Sequence, residues 1–101
     1  MTPNALTIDC AAAAAAELLG AFEGPQKVVL DLSRCERLDS SGLQILVAAV
    51  KEADASEREF EMTGVLTEGF RKALKNGGIF RQVPQDGETL GIFLRRTMEV
   101  F

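Results

Sequence analysis

The chain has 101 residues, 47% of them hydrophobic and 26% charged, with a net charge of −4 and no histidine. That is enough for one domain, residues 1–101, with its own core, and it excludes the low-hydrophobicity, high-charge composition of disordered chains. An acidic balance without a basic stripe argues against nucleic acid as the main partner, and the missing histidine removes Ser-His-Asp and Cys-His nucleophile schemes.

From the N-terminus, "ALTI" (Ala5 to Ile8) is a short β-prone run. "AAAAAAELLGAF" follows, an alanine-led segment predicted as a helix carrying Leu18, Leu19 and Phe22 and closed by Gly24-Pro25. Asp9 is expected to cap it. "KVVLDL" (Lys27 to Leu32) is a continuous apolar run with β-branched residues, which predicts a buried central strand ended by Asp31. "SRCER" is a loop. From Gly42 onward, Leu43, Leu46, Val47 and Val50 fall at i, i+3, i+4 and i+7, one face of an α-helix. Lys51, Glu52 and Asp54 mark its solvated end.

"REFEMTG" places Phe60 and Met62 on one side and predicts a second strand. Thr67 starts a short helix, "EGFRKALKN", with Phe70, Ala73 and Leu74 on one face. Lys72 and Lys75 suit its C-terminal dipole, and Asn76-Gly77-Gly78 stop it. "IFRQV" is predicted as a further strand and Pro84-Gln85-Asp86-Gly87 as a turn. The last segment, "ETLGIFLRRTMEVF", sets Leu90, Phe93, Leu94, Thr97 and Phe101 at helical spacing. Alternating strands and helices joined by short loops make an α/β domain. Its length allows a mixed sheet of about four strands with helices mainly on one face.

Cys10 and Cys35 match neither a disulfide framework nor a metal motif, so two free thiols in a reducing cytoplasm are expected. No basic stretch leads an apolar one at the N-terminus, and no apolar run approaches the roughly 20 residues that cross a bilayer. The expectation is a soluble cytoplasmic protein without direct membrane insertion.

The chemistry concentrates in Asp39-Ser40-Ser41-Gly42, where an apolar helix begins. The first turn of a helix has unpaired N–H groups and a positive dipole end. Asp39 or Ser40 can cap those donors, which leaves a second hydroxyl over. Gly42 has no side chain, so another surface can approach the backbone there. A phosphate on such a turn meets donors and a favourable dipole from inside the molecule. Across an interface it meets desolvation and the Asp39 carboxylate. Simple capping and a phosphorylation switch are both consistent with these residues.

"VVLDLSRCERLDSSGLQILVAAVKEA" resembles the signature of the STAS domain family, whose members include anti-sigma-factor antagonists. The likeness continues through "FEMTGVLTEGFRKALKNGGIF". It implies a small STAS-like α/β fold and places the family's phosphorylation site, the second serine of the string, at Ser41. Asp39 takes the place of the acidic residue that helps fix the loop, and Asp39, Ser40, Ser41, Gly42 and Leu43 together form the partner-binding stretch. The implied partner is an anti-sigma factor that is also a serine kinase. It is bound by the unmodified protein and released on phosphorylation, which a phosphatase reverses. Shortened STAS domains also occur as accessory subunits of lipid-transport ABC systems and beside chemotaxis genes, and that alternative stands beside the first.

No cofactor, metal or enzymatic activity of the chain's own is expected. Asp9, Asp31 and Asp39 read as caps and strand ends rather than an Mg²⁺ site, and Gly64 and Gly77-Gly78 read as turn glycines without phosphate-loop spacing. Arg95-Arg96 is expected on a solvated helix face. Phe101, with Phe93 and Met98, offers an apolar patch for a homodimer; Phe93 is expected in the core and Phe101 is left open.

Overall fold

The computed structural model describes residues 1–24, 27–77 and 82–100, the last four by backbone alone. The elements run β1 (Ala5–Leu6), α1 (Ala11–Glu23), β2 (Val28–Asp31), β3 (Arg37–Leu38), α2 (Ser40–Ala55), β4 (Phe60–Thr63), α3 (Glu68–Asn76) and α4 (Gly87–Val100). The α/β class holds, and α3 spans the nine residues "EGFRKALKN" that its periodicity predicts. The predicted strand "IFRQV" begins at Ile79 and falls mostly outside the described residues, as do Gly78 and Phe101 and the side chains of Thr97 and Met98. Gln82 and Val83, which are described, are not in a strand.

The sheet departs from the expected mixed, four-stranded one. The four described strands form two separate parallel pairs, β1 with β3 and β2 with β4. The one antiparallel contact among the described residues is the isolated bridge between Val65 and Asp86. Met1 links the two pairs by donating to the Val29 carbonyl and accepting from Asp31 N–H, at 3.1 and 2.9 Å. That ladder goes no further because Pro3, two residues on, has no N–H to give, while Ser33 N–H turns to the Asp31 carboxylate instead, at 2.9 Å. β3 was not foreseen. It is two residues long, and only pairing with β1 makes it a strand.

β2 is buried on one face, not two. Val28 and Leu30 sit in the core, but Val29 is 39% exposed. Opposite them, Phe60 and Met62 of β4 are buried and Glu61 faces outward to meet Lys27 at 2.7 Å. The continuous apolar run therefore overstated the burial of this strand.

Helix α1 packs on α2, α2 on α4, α4 on β4 and α3 on β3. Leu18, Phe22, Leu46, Val50, Phe70, Leu74, Leu90 and Leu94 meet Leu6, Leu30 and Leu32 in one core. Phe22 and Phe60 touch edge to face with centroids 5.5 Å apart, a geometry that adds about 1 kcal/mol beyond burial.

Local chemistry sets the helix ends. Thr67 caps α3 by accepting from Phe70 N–H at 3.1 Å, and its own hydroxyl donates to the Cys35 carbonyl at 2.7 Å. Asp86 accepts from Thr89 N–H at 2.8 Å and so opens α4. For α1 the N-cap residue is Cys10, not Asp9, and no side chain caps it. Cys35 is not among the exposed loop residues that flank it in sequence. It is buried, its thiol donates to the Arg37 carbonyl, and burial pushes its pKa to about 11. Both cysteines are free. Gly64 has φ +94°, a left-handed conformation suited to glycine, which confirms it as a turn residue. Among the described residues, no helix is long and apolar enough to cross a membrane.

Candidate functional site

The start of α2 is built around one carboxylate. Asp39 is the N-cap residue in an extended conformation, φ −126° and ψ −174°. Its Oδ1 accepts from Gly42 N–H at 3.1 Å, and its carbonyl accepts from Leu43 N–H at 3.0 Å. Its Oδ2 reaches across the chain to accept from Ile8 N–H at 2.8 Å. Its own N–H donates to the Leu6 carbonyl at 3.1 Å, continuing the β1–β3 pairing. Asp39 is thus both the cap of α2 and the tie that holds the turn after β1. The Ile8 N–H, followed by the Gly42 N–H, holds the Asp39 carboxyl below its usual range, because both donors favour the charged form.

Of the two residues able to cap this helix, Asp39 does so and Ser40 does not. Among the described residues, neither the Ser40 nor the Ser41 hydroxyl has a hydrogen-bond partner. Ser40 is exposed and Ser41 is half-buried, both on the first turn. These are the surplus hydroxyls that the sequence implied.

Gly42 has a different task from the one expected. It is buried, and a Cβ built on it would run into the Leu6 carbonyl oxygen and lie 2.7 Å from Leu6 Cβ. The close approach that a glycine permits is made by the chain's own β1, so the position is already filled from within. Leu43, the last of the five, is half-buried and packs against the edge of the core.

Beside the first turn, Leu38, Asp39, Ser40 and Leu43 face Ala73, Leu74, Asn76 and Gly77 of the α3 end across a shallow groove. A second apolar strip runs on along α2 through Leu43, Val47 and Ala48 to Lys51. The structure therefore brings all five predicted residues into one place and adds three kinds of neighbour that sequence reasoning missed. These are Leu6 beneath Gly42, Ile8 tied to Asp39, and the C-terminal end of α3. The tie to Ile8 is made by its backbone N–H, so the identity of its side chain, which is 72% exposed, gives no signal of it. The Leu6 and α3 contacts leave no mark in the sequence, since both join segments more than thirty residues apart.

Asp31 takes no part in this site. Its carboxylate accepts from Ser33 N–H at the end of β2.

Comparison with known protein families matches residues 4–79 to the family described as Mlab, STAS domain. The matched segment runs from just before β1 to just past α3 and contains the whole α2 start. No curated protein and no solved structure matches this chain.

Proposed function

The chain belongs to the STAS domain family, and on that premise we propose that it is a protein-binding module switched by phosphorylation at Ser41. The unmodified protein binds an anti-sigma factor that is also a serine kinase. The kinase phosphorylates Ser41 and binding ends, and a phosphatase restores it. The observation that carries this reading is the division of labour at the α2 start: Asp39 does the capping, so the Ser41 hydroxyl is structurally spare.

The chemistry asked of this chain is small. The Ser41 Oγ attacks the γ-phosphorus of the kinase's ATP, the bond to the bridging oxygen breaks, ADP leaves and the serine proton passes to a base of the kinase. The product carries about −1.5 to −2 charge at neutral pH. Inside the molecule that charge sits at a helix N-terminus, where the dipole favours it. The nearby Asp39 carboxylate already occupies the Gly42 and Ile8 donors, so the phosphate gains solvent-facing donors only. In an interface it has to be desolvated beside a second negative charge, and like charges there cost binding strongly. The fold survives the modification and the contact does not.

Incubation with the cognate kinase and ATP, read by mass spectrometry, is expected to place one phosphate on Ser41. Equal phosphorylation of Ser41→Ala would overturn the site. Ser41→Asp is expected to weaken partner binding at least tenfold while its unfolding midpoint stays within a few degrees of wild type. Undiminished binding would overturn the switch.

A second reading keeps the docking surface and drops the modification. Here the chain is a constitutive subunit of a lipid-transport ABC complex or a chemotaxis-associated STAS protein. It is favoured by the strip Leu43, Val47 and Ala48, an apolar contact on α2 that owes nothing to phosphate. Co-purification with an ABC ATPase, unaffected by Ser41→Asp, would select it over the first.

A further inference from the structure

A separate apolar groove lies between α1 and α2. Ala15, Leu18, Leu19 and Phe22 form one wall, and Ile45, Ala48, Ala49 and Glu52 form the other. Its volume is about 170 Å³, room for one bulky side chain. The alanine-rich composition of α1 leaves the cleft open, and Leu19 stands at its lip, 55% exposed.

The charged residues of the groove lining and of α1 are acidic. Helix α1 contains Glu17 and Glu23 and no Lys or Arg, and the single basic residue of α2, Lys51, lines the adjoining strip, which shares Ala48 with the groove, and not the groove itself. Glu23 follows Leu19 by one helical turn, and Glu52 lines the groove itself. Neither glutamate is in a salt bridge among the described residues. Neither helix has a basic residue of its own in its last turn; the cations at their ends come from outside, Arg95 of α4 at Asp54 (3.5 Å) and Lys27 beside Gly20, Ala21 and Gly24.

We infer that the α1–α2 groove is a docking site for a basic amphipathic helix of a partner protein, independent of the Ser41 surface. The apolar face of such a helix seats one large side chain between Leu19 and Ile45. Its Lys or Arg residues reach Glu23 and Glu52. A second copy of this chain fits poorly, since a two-fold contact sets these glutamates against themselves. An anionic membrane surface is repelled by the same charges.

The test uses two synthetic amphipathic peptides with leucines at i, i+3, i+4 and i+7, one with lysine and one with glutamate at the remaining positions. They are titrated into ¹⁵N-labelled full-length protein. The lysine peptide is expected to shift the amides of Leu18, Leu19, Ile45 and Ala48 and to bind at least tenfold tighter than the glutamate peptide. Leu19→Gln, on an exposed position that leaves the core intact, is expected to weaken it about tenfold, and Glu23→Gln with Glu52→Gln to flatten its salt dependence. Ser41→Asp is expected to leave this binding unchanged, which separates its failure from failure of the switch. Equal binding of both peptides, shifts centred on Ser40 to Leu43, or wild-type affinity in Leu19→Gln would each overturn the proposal. So would a concentration-dependent dimer abolished by Leu19→Gln, because the groove would then belong to a second copy.

Discussion

Gly42→Ala is expected to destabilise the fold by about 3 kcal/mol, the upper part of the usual range for overpacking, although alanine is the better helix former by about 1 kcal/mol. The added methyl meets the Leu6 carbonyl oxygen, and backbone cannot swing aside as a side chain can. Either α2 lifts off β1 or β1 moves away from α2. In both cases the Asp39 N–H loses its bond to the Leu6 carbonyl, and the Ile8 tie to the Asp39 carboxylate is pulled out of line. Gly20→Ala is the control, since nothing lies within 4 Å of a Cβ there and the site is exposed in the body of α1. It is expected to be stabilising by about 0.5 to 1 kcal/mol. Urea unfolding of both variants gives the two opposite signs. A Gly42→Ala protein as stable as wild type would mean that Leu6 and α2 are not in close contact.

Asp39→Ala removes a cap and a long-range tie together, and its unfolding midpoint is expected to fall by roughly 5 to 10 °C. Asp39→Asn keeps an oxygen for Gly42 N–H but presents an NH₂ group to Ile8 N–H, so it is expected to fall between alanine and wild type. The pH dependence identifies the charge. The Asp39 pKa is lowered in the folded state by the Ile8 and Gly42 donors. Its contribution is therefore present above the unfolded-state value of about 3.9 and is lost as pH falls through the folded-state value. Asp31 and Asp86 are lowered for similar reasons, so wild type loses stability in acid through all three. The gap between wild type and Asp39→Asn is expected to be full at pH 7 and to shrink below about pH 4. Thermal unfolding at the two pH values reads it directly, and a gap independent of pH would assign the effect to shape rather than charge.

The two cases show where sequence reasoning reaches its limit. That a helix begins near Asp39 follows from the residue types and the i, i+3, i+4, i+7 spacing of Leu43, Leu46, Val47 and Val50, which act over a single turn. That Asp39 rather than Ser40 caps it depends on the tie to Ile8, which rewards a carboxylate with two acceptor oxygens. The role of Gly42 was misplaced for the same reason. A missing side chain signals that something comes close, but not what, and the neighbour is a carbonyl 36 residues earlier in the chain. An apolar run such as that of β2 looks the same whether one face of the strand or two are covered. Cys35 does lie in the polar loop between β2 and β3, while its own side chain turns into the core, which its neighbours do not signal.

What the sequence determined by itself is local. It set the helices, through alanine content, apolar periodicity and capping residues, and it set the spare hydroxyls of the Asp-Ser-Ser-Gly string. Each of these depends on interactions within about four residues. The tertiary structure alone decided which strands pair, that the four described strands stand as two parallel pairs, and that the space above Gly42 is filled by Leu6. It also decided that α1 and α2 leave an acidic, apolar cleft between them. Those outcomes depend on backbone groups and faces that meet across thirty or more residues, where a side chain's identity says that it will be buried but not against what.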